Sequence, residues 1–110
     1  MPFLYFCDTK RTNMKKETVL RRLNSIKDKL STFGVIQLGL FGSTVRGENT
    51  AKSDIDILLD FKEGQETYSN FMVVCGLLEE KFKRNKLDIV TRKGLSPYIG
   101  KNIINEVIYV

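Results

Sequence analysis

Histidine is absent from this 110-residue chain, and cysteine occurs only twice. Without histidine there is no His-based zinc site and no Ser-His-Asp triad within the chain. Cys7 and Cys75 stand too far apart in sequence to read as a metal-binding pair. Two lone thiols point to a reducing compartment, so a cytoplasmic location is expected. No apolar run reaches the length of a membrane span. The opening PFLYFC is too short for a signal h-region and has no basic stretch before it, so no membrane association is expected. Acidic residues are the minority, 13 against 18 basic, for a net charge of +5. That balance favours anionic partners. The basic residues are scattered, however, with few aromatics among them to stack bases, so direct nucleic-acid binding is not expected.

What is present fits one domain: 42% hydrophobic and 28% charged residues in a length that supports a single core. Residues 1–13 fit poorly with the rest of the chain and read as an N-terminal extension, while Met14 opens a domain spanning 14–110. From Asn13, a candidate N-cap, to about Phe33, the residues Val19, Leu20, Leu23, Ile26, Leu30 and Phe33 recur at helical spacing, and Gly34 ends the helix. VIQLGLF, residues 35–41, reads as a central strand because it is almost wholly apolar. A short helix follows GSTVRG, and residues 48–53 form a polar loop. A second strand covers 54–61, with Ile55, Ile57, Leu59 and Phe61 on one face and Asp54, Asp56, Leu58 and Asp60 on the other. After a loop at 62–67, a helix runs from about Tyr68 to Phe82. Its expected core stripe is Tyr68, Phe71, Met72, Cys75, Leu78 and Phe82. Val73, Val74 and Leu77 widen that stripe, which requires deep burial or a partner. LDIVT, residues 87–91, is a third strand, and Ser96-Pro97 reads as the start of a last short helix. The terminal VIYV is apolar and must dock on the body.

The most informative stretch is GSTVRGENTAKSDID, Gly42 to Asp56. Asp54 and Asp56 are two apart on a strand, so both carboxylates point to one face. Like charges held together and partly desolvated tend to stay protonated, and a divalent cation relieves that. Asp88 can reach the same face if the third strand pairs beside the second. Three such carboxylates suit two Mg²⁺ ions, which would clamp the attacking and leaving oxygens of a phosphoryl group. The Gly42-Ser43 turn supplies a close backbone approach to phosphate and a hydroxyl donor. Arg46, one helical turn on, can reach phosphate or brace a carboxylate. The segment lacks the GxxxxGK[ST] pattern of a Walker P-loop.

Taken together, GS, ten residues, DxD, and a strand-borne Asp after a helix resemble the minimal nucleotidyltransferases, a small branch of the polymerase-beta-like nucleotidyltransferase superfamily. Gly42, Ser43, Arg46, Gly47, Ser53, Asp54 and Asp56 match the family pattern, and its third carboxylate maps onto Asp88. The resemblance implies an α/β (α+β) fold, a small mixed sheet with helices packed on one face. It implies NMP transfer from an NTP, with ATP and two Mg²⁺ ions. It further implies an antitoxin that places AMP on a tyrosine of a partner HEPN-domain toxin, in a hetero-oligomeric or homo-oligomeric assembly. Asp54 and Asp56 would hold both metals. Asp88 would hold the catalytic one and accept the proton of the acceptor hydroxyl, while Gly42, Ser43 and Arg46 would bind the nucleotide. Two other functions remain open on the sequence: nucleotidyl transfer to a small molecule or RNA, and a non-catalytic antitoxin that acts by contact alone.

Overall fold

The computed structural model describes residues 15–48, 54–83, 85–95 and 103–110. In chain order the elements are α1 (Lys16–Ser31), β1 (Val35–Phe41), α2 (Ser43–Arg46), β2 (Ile55–Phe61), α3 (Tyr68–Lys81), β3 (Leu87–Thr91), a 3₁₀ turn (Arg92–Gly94) and β4 (Ile108–Tyr109). Residues 103–106 are also helical. The sheet order is β3-β2-β1-β4. β1 pairs antiparallel with both β2 and β4, and β2 pairs parallel with β3. This is the small mixed sheet expected, with the two apolar strands at its centre. The candidate N-cap Asn13, the extension 1–13, the polar segment 49–53 and Ser96-Pro97 lie outside the described residues.

α1 forms because its apolar residues return every three or four positions. Val19, Leu23, Ile26 and Leu30 are buried, with Leu20 packing beside them. The helix stops at Ser31, two residues before the expected Phe33. The last amides tighten into i→i−3 bonds, Phe33 N–H to Leu30 and Gly34 N–H to Ser31. Gly34 then takes φ +95°, where a Cβ would lie 2.5 Å from Gln65 Cβ, so only glycine fits the exit.

β1 contains a bulge that the sequence pattern did not suggest. The register shifts between Val35 and Gln37, leaving Ile36 as the extra residue, 58% exposed. Strict alternation from Val35 would turn Gln37 into the core. The bulge reverses that parity, so Val35, Leu38 and Leu40 all face inward opposite Phe61, Leu59 and Ile57. β2 behaves as its alternation dictates: Ile55, Ile57, Leu59 and Phe61 join α1 and α3 in one core, so the helices share one face of the sheet. The terminal apolar segment docks as β4 along the free edge of β1, and Val110 N–H donates to Leu38.

The expected core stripe of α3 needs correction. Tyr68 and Met72 are 80% and 49% exposed, and Cys75 is half-buried. The buried face is Val74 and Leu78, continued by Phe82 just past the helix and flanked by Phe71 and Leu77. Both stripes have helical spacing. The Tyr68–Met72–Cys75 line, however, runs into Glu79, whereas Phe71–Val74–Leu78–Phe82 stays apolar to its end and meets α1, where Arg22 sits 5.8 Å from the Phe82 ring. Leu78→Ala is therefore expected to cost about 3 kcal/mol in urea unfolding, and Met72→Ala less than about 1 kcal/mol. Equal costs would restore the other stripe.

Candidate active site

The carboxylates are placed by strand register. β2 and β3 run parallel with Asp56 opposite Asp88, so the two side chains share the face away from the helices. Asp54, just before β2 and two positions from Asp56, lies toward the same face. Asp54 and Asp56 are half-buried, and Asp88 is exposed. The Asp56 carboxyl is pushed up to about 6, first by burial, then by the charges of Asp88 and Asp54 and by hydrogen bonding to Asp88. Among the described residues no three acidic or cysteine side chains meet at metal-coordinating distance. The tight element is the pair Asp56–Asp88, with Asp54 adding its charge. Such a set suits a hard divalent cation: oxygen donors only, on neighbouring backbones, with one carboxyl resisting ionisation until positive charge arrives.

The Gly-Ser turn is held against that pair. β1 ends at Phe41, which pairs with Asp56, so the chain leaves the sheet beside the carboxylates. Gly42 turns it with φ 80° and ψ −155°. A Cβ on Gly42 would overlap Asp56 Oδ2 and lie 2.8 Å from its Cγ. The backbone thus passes the carboxylate at a distance that no side chain permits. α2 is a single turn, with Val45 and Arg46 N–H bonding to Gly42 and closure by Gly47 at φ 76°. Ser43, at its first position, is half-buried at the same end of the sheet.

Arg46 braces carboxylates. Its Nε donates to Glu48 at 2.8 Å, and Nη1 donates to both oxygens of Glu106 at 3.0 and 2.8 Å. Glu48 first and Glu106 second hold the guanidinium further into its charged form. Glu106 also accepts the Gly42 N–H at 2.9 Å. Sequence reasoning missed Glu106. Its signal was a lone acid at the head of the apolar VIYV end, legible only once that end is known to pair with β1. Of the expected site residues, the fold brings Gly42, Ser43, Asp54, Asp56 and Asp88 to one end of the sheet. Arg46 is turned to Glu48 and Glu106.

Known proteins resemble this chain in sequence and fold. The sequence profile described as nucleotidyltransferase domain matches residues 14–110. A Methanocaldococcus jannaschii protein with the provisional name protein adenylyltransferase is 39% identical over 98 residues, covering 86% of this chain and 93% of the relative. Protein adenylyltransferase MntA of Thermococcus cleftensis is 38% identical over 84 residues, covering 76% and 83%. A solved structure provisionally described as a minimal nucleotidyltransferase superposes with a TM-score of 0.75 at 30% identity, over 87% of this chain and 96% of the other. A chain of a toxin–antitoxin crystal structure containing AMP-PNP shares the fold, with a TM-score of 0.62 at 19% identity over 78% and 69%. With the profile covering most of the chain and relatives above 30% identity along most of their own lengths, the chain belongs to the nucleotidyltransferase domain family, among its minimal nucleotidyltransferases.

Proposed function

We propose that this protein is a Mg²⁺-dependent adenylyltransferase that moves AMP from ATP to a tyrosine hydroxyl of a partner HEPN-domain toxin, and so acts in the cytoplasm as its antitoxin. One observation carries the chemistry: Asp56 and Asp88 stand in register on parallel strands, directly beside the Gly42 turn. The acceptor class rests on the relatives named protein adenylyltransferases, and the toxin partner on the toxin–antitoxin neighbour.

In this reading Asp54 and Asp56 would hold two Mg²⁺ ions, and Asp88 would hold one of them. When bound, they would neutralise the carboxylates and the phosphate oxygens. In the transfer, the acceptor oxygen bonds to the α-phosphorus, the bond from that phosphorus to the bridging oxygen breaks, and pyrophosphate leaves with the electron pair. Asp88, exposed at the edge of the pair, takes the acceptor's proton. A tyrosine hydroxyl has an unperturbed pKa of about 10, so attack near neutral pH requires such a base. Ser43 offers its hydroxyl to the leaving phosphates. Tyr68, Met72 and Val73 form an exposed apolar strip on α3 that offers the partner a surface.

The test is incubation with the partner toxin, Mg²⁺ and ATP labelled at the α-phosphate. The expected result is label on the toxin and a mass gain of AMP, lost when the acceptor tyrosine is changed to phenylalanine. Toxin neutralised without any mass gain would make the protein an antitoxin by contact. Label on RNA or a small molecule instead would move the acceptor to that class.

A further inference from the structure

We propose that Glu106 is a positioning residue that clamps the Gly42–Arg46 turn in the geometry that grips the triphosphate; this rests on the nucleotidyl-transfer reading of the site. β4 pairs with β1 through Gly39–Tyr109 and Leu40–Ile108. Carrying that register two residues further sets Glu106 opposite Gly42. Leu38 accepts from Val110 on the β4 side, and by strand alternation the polar groups of Leu40 and Gly42 face the same way. At Gly42, however, the chain opposite has left the sheet, because residues 103–106 are helical. The Gly42 N–H loses its backbone acceptor there, and the Glu106 carboxylate replaces it at 2.9 Å.

The same carboxylate holds Arg46 through both oxygens, at 3.0 and 2.8 Å. Gly42 is the residue before α2 and Arg46 the last residue in it. One side chain from the end of the sequence therefore ties down both ends of the turn. Asp56 closes the turn from the other side, leaving no room for a Cβ at Gly42. With the Gly42 N–H bonded to Glu106 and the Val45 and Arg46 N–H groups bonded to Gly42, the donors left for the nucleotide are led by Ser43. Their aim depends on the clamp.

Binding of Mg²⁺ with α,β-methylene ATP, measured by calorimetry, separates this role from catalysis, and exchange of the Gly42 amide reports the clamp in nucleotide-free protein. Glu106→Ala is expected to weaken binding about 10-fold and to expose the Gly42 amide to exchange. Glu106→Gln keeps an oxygen acceptor of the same reach and recovers most of the affinity. Glu106→Asp, one methylene shorter, does not. Glu106→Ala with wild-type affinity despite a freely exchanging Gly42 amide would overturn the role. So would tighter binding, which would make the carboxylate a plug in the phosphate's place. A wild type that binds the analogue but transfers no AMP from ATP overturns the transferase reading alone.

Discussion

Asp56→Asn is expected to lower AMP transfer on the order of 10³-fold or more and, at pH 7.5 without divalent cations, to melt above the wild type. The loss follows from the proposed role of Asp56 as a ligand of cations that would supply several kcal/mol of charge stabilisation. The gain in stability has the opposite cause. The Asp56 carboxyl is pushed from 3.8 to about 6 by burial and by facing Asp88 and Asp54. Its folded pKa is raised, so between roughly pH 4 and 6 the folded chain keeps a proton that the unfolded chain releases. Stability from this group is full below that window and declines as pH rises through it, leaving the ionised carboxylate as a burden at pH 7.5. Unscreened, the shift corresponds to about 3 kcal/mol; for a half-exposed carboxyl, solvent screening reduces it to about 1 kcal/mol. In a domain of this size that is a rise in Tm of roughly 4–8 °C. Thermal melts with a chelator at pH 4 and pH 7.5 check the sign, since the two proteins should converge at the lower pH. Added Mg²⁺ should raise the wild type and leave Asp56→Asn nearly unmoved. A variant that transfers AMP at the wild-type rate would remove Asp56 from the site.

Gly42→Ala is expected to damage both the fold and the transfer reaction. The added methyl would overlap Asp56 Oδ2 and come within 2.8 Å of Cγ and 3.2 Å of Cβ, in a backbone already at φ +80°. Either the turn or the carboxylate must move. The cost in stability should be about 3 kcal/mol, the upper end for a side chain held in a backbone region that favours glycine. A shift of about 1 Å at the carboxylate costs transfer around 100-fold or more. Gly47→Ala separates the two causes. Gly47 also has positive φ, +76°, but a Cβ there meets nothing within 4 Å. It should lose only about 1 kcal/mol, from backbone preference alone. Urea unfolding and initial rates on both variants give the comparison. Equal losses would mean that the crowding of Asp56 is unimportant.

The carboxylate face was legible because strand alternation is rigid: residues 54 and 56 must share a side, and Asp88 joins them once the third strand lies beside the second. The central strands were legible from their unbroken apolar runs. Three features were not. The bulge at Ile36 answers a parity conflict that appears only when Val35 and Leu38 are asked to share a core with β2. The face of α3 was ambiguous because two apolar stripes overlap on it, and contact with α1 decides between them. Glu106 was hidden because its partners are 60 and 64 residues away; no local pattern connects the end of the chain with a turn near its middle.

The bulge also bears on chain length. In β1 the residues Val35, Leu38 and Leu40 face the core, with Ile36 as the surplus position. Without Ile36 the strand would read VQLGLF, an ordinary alternating strand that puts the same three side chains inward. A relative one residue shorter between α1 and the Gly-Ser turn can therefore keep every core contact of β1. Such a one-residue deletion at Ile36 would remove a kink and leave the spacing of the candidate site residues intact.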